Sequence, residues 1–161
     1  MHFQRVTAFA MAVALAAPLS AFHETRNPAR TGIAAAVIAE MNRERATHGL
    51  KPLRINDTLS AAAVDRIDDM FGKHYFAHVS PDGVQPWKWV QRRGYNYREI
   101  GENLAVGYPN AFSVVDGWMH SPGHRANILG THFAEVGVAV APGSPERGFR
   151  GPTVVALYGE R

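Results

Sequence analysis

Residues 153–158, near the end of the chain, constrain the fold more than any other segment. Read with the two-residue period of a strand, Val154 and Ala156 lie on one face and Val155 and Leu157 on the other, so neither face is polar. A strand that is apolar on both sides lies between two covering layers, because either face would otherwise meet water. The segment therefore predicts a sheet that is buried on both faces.

Apolar residues at helical spacing predict the covering layers. Ile33, Val37 and Met41 recur every four residues before Gly49, which is typical of an amphipathic helix and its C-terminal stop. Four more helices are predicted: one capped by Asp57 or Thr58, one over 86–93, one from Asn110 with Phe112, Val115, Trp118 and Met119 facing inward, and one from Ser121-Pro122 to Leu129. Two further strands are predicted over 100–106 and 133–141. Helices that precede strands around a buried sheet predict an α+β sandwich with helices on both faces.

Residues 1–21 have the pattern of a secretory signal peptide. Arg5 is followed by the uncharged stretch 6–19, which is too short to span a bilayer, and small residues around Ala21 suit cleavage. The alternatives are an uncleaved membrane anchor or a buried N-terminal helix. Residues 22–31 are predicted to be a disordered lead-in, and residues 32–161 one folded domain. This organisation predicts a secreted or periplasmic protein with no stable membrane span after cleavage.

Composition excludes several functions. The chain has no cysteine, so disulfides, thiol nucleophiles and cysteine-based zinc sites are ruled out. The formal net charge of +3 is small and scattered, and it gives no reason to expect nucleic-acid binding. Neither a phosphate-binding glycine loop nor a Gly-x-Ser-x-Gly elbow is present, so the sequence does not support a nucleotide site or a serine nucleophile.

Glu102 is the most informative single residue. By strand alternation it shares a face with Ile100, Leu104 and Val106, so we expect it to point toward an interior or a cleft. Burying an unpaired carboxylate is costly, and a partner or a metal is therefore expected beside it. The alternative is a surface strand end at which Glu102 meets water.

The histidines supply candidate partners for Glu102. His74 and His78 have the four-residue spacing that places two metal ligands on one helix face. Gly72 and the turn over 80–83 argue against a continuous helix through both residues. A hydrogen-bonded structural imidazole remains the alternative for any single histidine.

Five motifs, taken in order, resemble one protein family. They are Asn42-x-x-Arg45 and the segments 75–83 (YFAHVSPDG), 100–105 (IGENLA), 117–129 (GWMHSPGHRANIL) and 135–139 (EVGVA). Together they resemble the CAP superfamily of SCP-like extracellular proteins, over roughly residues 34–158. The resemblance implies a three-layer α-β-α sandwich with a central, mainly antiparallel sheet.

The resemblance also implies a cleft in which two histidines and two glutamates hold a divalent metal. His78 matches the first histidine, Glu102 the glutamate of the Gly-Glu-Asn motif, and His132 the second histidine. Ser121 stands where the family has its second glutamate, which removes one ligand and one candidate general base. His124 is expected to lie near the cleft. Two imidazoles and one carboxylate form a set that zinc accepts, with a position left for water.

Three functions are compatible with this cleft. The favoured one is a monomeric binding module that takes an envelope lipid or a cell-wall component. The alternative is a hydrolase of cell-wall polymer or peptide, with His78, Glu102 and His132 around a metal or a water molecule. The third, a purely structural interaction domain, leaves the grouping of His78 and Glu102 unexplained.

Overall fold

The structure, a computed structural model, describes residues 28–161. The predicted signal peptide, residues 1–21, and residues 22–27 of the predicted lead-in lie outside the described part. The elements follow one another as α1 (Pro28–Thr47), β1 (Arg54–Ile55), α2 (Asp57–Lys73), α3 (Pro86–Arg92), β2 (Glu99–Val106), α4 (Ala111–Met119), α5 (Pro122–Leu129), β3 (Glu135–Ala141) and β4 (Thr153–Glu160). No helix among these residues is both long enough and apolar enough to cross a membrane.

The four described strands form one sheet in the order β1-β3-β4-β2. The short strand β1 pairs with β3 in parallel, whereas β3 with β4 and β4 with β2 are antiparallel. The strand that is apolar on both faces, β4, therefore lies between two neighbours, and β2 forms one edge. The predicted central, mainly antiparallel sheet is confirmed.

Helices cover both faces of this sheet. Val154, Ala156 and Tyr158 of β4 pack with side chains of α1, α4 and α5 in one core. Val155 and Leu157 pack with side chains of α2 and α3 in a second core. The alternation read from 153–158 thus divides the interior into two layers, and the α-β-α sandwich is confirmed.

Gly137 in β3 allows α2 to lie directly on the sheet. A Cβ atom at this position would be 2.1 Å from the backbone nitrogen of Ser60 and 2.2 Å from the backbone carbon of Leu59. Both atoms belong to the first turn of α2, whose N-terminus is capped by Asn56 through hydrogen bonds from the Thr58 and Leu59 amides. The absent side chain therefore sets the height of α2 above the sheet.

Three local features differ from the sequence-based expectations. Helix α1 begins at Pro28, so residues 28–31 of the predicted lead-in are helical; proline at the first helical position suits such a start. The cap of α2 is Asn56 rather than Asp57 or Thr58, because Asn56 is the last residue with extended backbone. Phe112 in α4 is 58% exposed and does not face inward.

Candidate functional site

Glu102 lies in the middle of the edge strand β2, and its carboxylate is buried. Its side chain is 3% exposed and has two partners on two different segments. Oε2 accepts a hydrogen bond from Nε of Arg66 at 3.0 Å, and Oε1 lies 2.8 Å from Nδ1 of His78. Each carboxylate oxygen is thus held by one partner, which keeps the group oriented in the interior.

Arg66 is the partner that the sequence analysis missed. It lies on the buried face of α2 and is fully inaccessible. Besides Glu102, its guanidinium donates to the hydroxyl of Tyr75 and to the backbone carbonyls of Ala77 and His78. The signal in the sequence was a charged residue on the apolar stripe of α2, three residues after Ala63 and four before Met70. A charge at such a position requires a buried counter-charge.

His78 presents the accessible side of the pair. It lies in the loop that follows α2, and its side chain is 53% exposed. The adjoining turn is closed by a hydrogen bond from the Gly83 amide to the Ser80 carbonyl. Because an ionised carboxylate only accepts hydrogen bonds, the bond to Glu102 requires a proton on Nδ1 and leaves Nε2 to meet a ligand or solvent.

His124 of α5 faces His78 from the other helical layer. Their ring centroids are 6.3 Å apart, and the ring of Trp118 lies 6.5 Å behind His124. Burial, followed by the charge of His78, lowers the pKa of His124 below its ordinary value of 6.5. His124 is therefore an uncharged imidazole at neutral pH. Ser121 occupies the N-cap position of α5, and its side chain forms no capping hydrogen bond.

Two asparagines fasten α5 to the edge strand. Asn127 donates to the backbone carbonyl of Glu102 and to the side-chain oxygen of Asn103. Asn103 in turn donates to the backbone carbonyl of His124 at 3.0 Å and to the hydroxyl of Tyr158. These bonds position His124 relative to Glu102 through the backbone carbonyls of both residues.

His132 is not part of this cluster. Its Nε2 lies 3.4 Å from a carboxylate oxygen of Glu99, and its ring packs on Phe133. Glu99 and Glu102 are three residues apart on one strand, so their side chains point to opposite faces of the sheet.

The predicted three-ligand metal set is therefore not assembled. Within residues 28–161, no three histidine, aspartate or glutamate side chains are grouped so that they could hold a metal ion. The carboxylate of Glu102 is already engaged by Arg66 and His78. The residues present do not fit the metal that the family resemblance implies.

An apolar groove lies elsewhere on the molecule. Its volume is about 520 Å³, and it is formed by residues 32–36 of α1, the first turn of α4 and the loop after β2. Its lining includes the half-exposed side chains of Ile33, Tyr108 and Phe112. None of its lining residues belongs to the cluster of His78, Glu102 and His124.

Known proteins are similar to this chain over most of the described residues. Protein YkwD of Bacillus subtilis (strain 168) is 43% identical over 102 residues, which are 63% of this chain and 40% of that protein. Membrane protein YlbC of the same organism is 30% identical over 96 residues, 60% of this chain and 28% of that protein. The chain thus matches less than half the length of either relative.

Solved structures share the fold. An extracellular protein of Bacillus anthracis str. Ames that contains an SCP domain superimposes with a TM-score of 0.71 at 23% identity, covering 82% of this chain and 41% of that one. An outer surface protein of Borrelia burgdorferi gives a TM-score of 0.69 at 22% identity, with 79% and 91% covered. The family model described as CAP, cysteine-rich secretory protein family, matches residues 38–158, well over half of the chain. The chain belongs to this family.

Proposed function

We propose that this chain is an extracytoplasmic binding domain whose polar cleft takes a component of the cell-wall polymer. The observation that carries the proposal is the exposed imidazole of His78, whose Nδ1 is fixed by the buried carboxylate of Glu102 at 2.8 Å. A ring that is held in this way presents Nε2 in a constant direction. It therefore favours ligands that offer one polar group at a fixed place.

The chemistry of the cleft favours a polar ligand over a lipid. His78 and the uncharged His124 offer imidazole nitrogens about one small group apart, with ring centroids 6.3 Å from each other. Hydroxyl and amide groups, which are abundant in a glycan cross-linked by peptides, match such nitrogens. A lipid tail would need apolar lining, and the apolar groove of this protein is lined by other residues.

The location follows from separate considerations. The pattern of residues 1–21 is typical of a secretory signal peptide. Two proteins that share the fold are an extracellular protein and an outer surface protein. Both considerations support a protein that is secreted or periplasmic and meets cell-wall polymer directly.

The proposal is tested by co-sedimentation with insoluble peptidoglycan and by calorimetry with soluble muropeptides. His78→Ala and Glu102→Gln are expected to weaken binding by about tenfold or more, since each removes or misdirects one hydrogen bond to the ligand. His132→Ala is the matched control, because this histidine is exposed and pairs with Glu99. If both cleft variants bind like the wild type, or if the wild type does not bind, the cleft is not a cell-wall site.

A hydrolase is the second candidate, and the orientation of His78 favours it. A histidine whose Nδ1–H is held by a carboxylate can accept a proton at Nε2 from a water molecule, as a general base does. Release of soluble fragments from peptidoglycan, or of new amino groups from casein, would identify this activity. If such turnover occurs in the wild type and falls at least about a hundredfold in His78→Ala, hydrolysis replaces binding as the function.

A further inference from the structure

The guanidinium of Arg66 is surrounded by oxygen atoms. Nε donates to Glu102, and the terminal nitrogens donate to the hydroxyl of Tyr75 and to the carbonyls of Ala77 and His78. Arg66 is fully inaccessible, and the Glu102 side chain is 3% exposed. One carboxylate, one hydroxyl and two carbonyls converging on one point form the kind of oxygen cage that usually surrounds a metal cation.

We propose that Arg66 is the built-in cation of the cleft and the positioning residue of the Glu102–His78 pair. Its charge lies against the buried carboxylate of Glu102 and supplies the counter-charge that a bound metal would otherwise have to supply. Its terminal nitrogens also hold the carbonyls of Ala77 and His78, so the same side chain fixes the backbone from which the His78 ring projects.

A second cation is excluded by the same geometry. A metal ligated by Glu102 would have to share the carboxylate with the guanidinium of Arg66, whose Nε lies 3.0 Å from Oε2, and two cations that share one carboxylate repel each other in a buried site. If a metal displaced Arg66 from the carboxylate, the guanidinium would be left inside the protein as a charge without its counter-ion. The cleft is therefore organised without a metal, and the metal-binding expectation of the family resemblance does not carry over to this chain.

Arg45 shows that a buried arginine in this fold need not have this role. It is 2% exposed, and its hydrogen bonds in the described part of the chain go to the carbonyls of Lys51, Ile128, Gly130 and Phe133. It joins the ends of α1 and α5 and the start of β3. Because it holds no carboxylate, Arg45 provides a matched control for the loss of a buried, multiply bonded guanidinium.

The test is calorimetric titration of zinc into the folded protein and its variants. The wild type is expected to show no one-to-one site that depends on Glu102. Arg66→Lys keeps the charge and should also exclude zinc. Arg66→Met removes the charge and leaves the carboxylate of Glu102 beside His78, so one-to-one zinc binding should appear, at least about tenfold tighter than any binding by the wild type. That gain should vanish in the double variant Arg66→Met/Glu102→Gln and should be absent in Arg45→Met.

One-to-one zinc binding by the wild type that Glu102→Gln abolishes would overturn the proposal, whatever the variants do. Equal zinc binding by Arg66→Lys and Arg66→Met would also overturn it. If Arg66→Met does not fold, Arg66→Ala offers a second test, because added guanidinium can replace the missing side-chain group. This variant should melt at least about 2 °C higher in about 50 mM guanidinium chloride than in the same concentration of sodium chloride. The absence of this rescue would contradict the proposal. The inference rests on the proposed use of the cleft but not on its ligand. If the wild type does not bind peptidoglycan while the zinc titrations give the expected results, the proposed function alone is refuted.

Discussion

Gly137→Ala tests whether the contact between α2 and the sheet sets both the stability and the site. The added Cβ would lie 2.1 Å from the Ser60 nitrogen and 2.2 Å from the Leu59 carbon, whereas ordinary contacts lie at 3.4–4 Å. Both neighbours are backbone atoms, so no side chain can rotate away and α2 must rise by about 1 Å or more. Overpacking of a core destabilises by typically 1–3 kcal/mol, and a clash with a backbone peptide group of α2 belongs at the upper end, about 3 kcal/mol.

The assay is equilibrium unfolding in urea, followed by tryptophan fluorescence, because Trp89 and Trp118 are buried in the two different cores. Gly123→Ala is the matched control: nothing lies within 4 Å of a Cβ at that position, and the free energy of unfolding should change by less than about 0.5 kcal/mol. Since α2 also carries Arg66, Gly137→Ala should weaken binding to cell-wall polymer as well. If Gly137→Ala unfolds within about 0.5 kcal/mol of the wild type, the packing argument is wrong.

Three further predictions follow from the buried pair, the titration of His124 and the packing of α4. Arg66→Met and Glu102→Leu should each lower the free energy of unfolding by about 3 kcal/mol or more. The double variant should lose at least about 1.5 kcal/mol less than the sum of the two single losses. Additive losses in a double-mutant cycle measured by urea unfolding would contradict a direct pair. Burial and then the charge of His78 lower the pKa of His124 from its ordinary value of 6.5. Below pH 6.5 the unfolded chain therefore binds more protons at this residue than the folded chain does. The contribution to stability is present above that pH and is lost as the pH falls toward the folded-state pKa. His124→Gln should flatten this part of the stability curve, measured by urea unfolding from about pH 7 to about pH 5, and an unchanged slope would refute the assignment. Phe112→Ser should change the unfolding free energy by less than about 0.5 kcal/mol and Val115→Ala, in the same helix, should lower it by about 2 kcal/mol; equal losses would mean that Phe112 is part of the core.

The layers could be predicted from the sequence because they depend on periodicity. The two-sided apolar pattern of 153–158 required helices on both faces, and both cores are present. Strand β1 could not be predicted, because its two residues are exposed and carry no alternation. The predicted orientation of Phe112 was wrong because this residue lies in the first turn of α4, where it lines the apolar groove and stays 58% exposed.

The site could be predicted only in part, because its partners come from distant segments. Glu102 was singled out by alternation, and its burial follows from that pattern. Arg66 lies 36 residues earlier in the chain, and no local pattern connects it with Glu102. His132 was matched to a cleft histidine only through the family resemblance, but its ring packs on Phe133, which lies in the core of the other layer.

The position of β2 at the edge of the sheet explains why the cleft can form at all. In a central strand, both neighbouring strands would cover the backbone, and only one helical layer could reach each side chain. At the edge, α5 bonds to the carbonyl of Glu102 through Asn127, while α2 reaches the carboxylate of the same residue through Arg66. The loop after α2 and the start of α5 then meet beyond the edge, where the rings of His78 and His124 face each other. The candidate site therefore depends on both helical layers. A substitution that shifts either layer relative to β2 should alter binding even when Arg66 and the cluster of His78, Glu102 and His124 are unchanged.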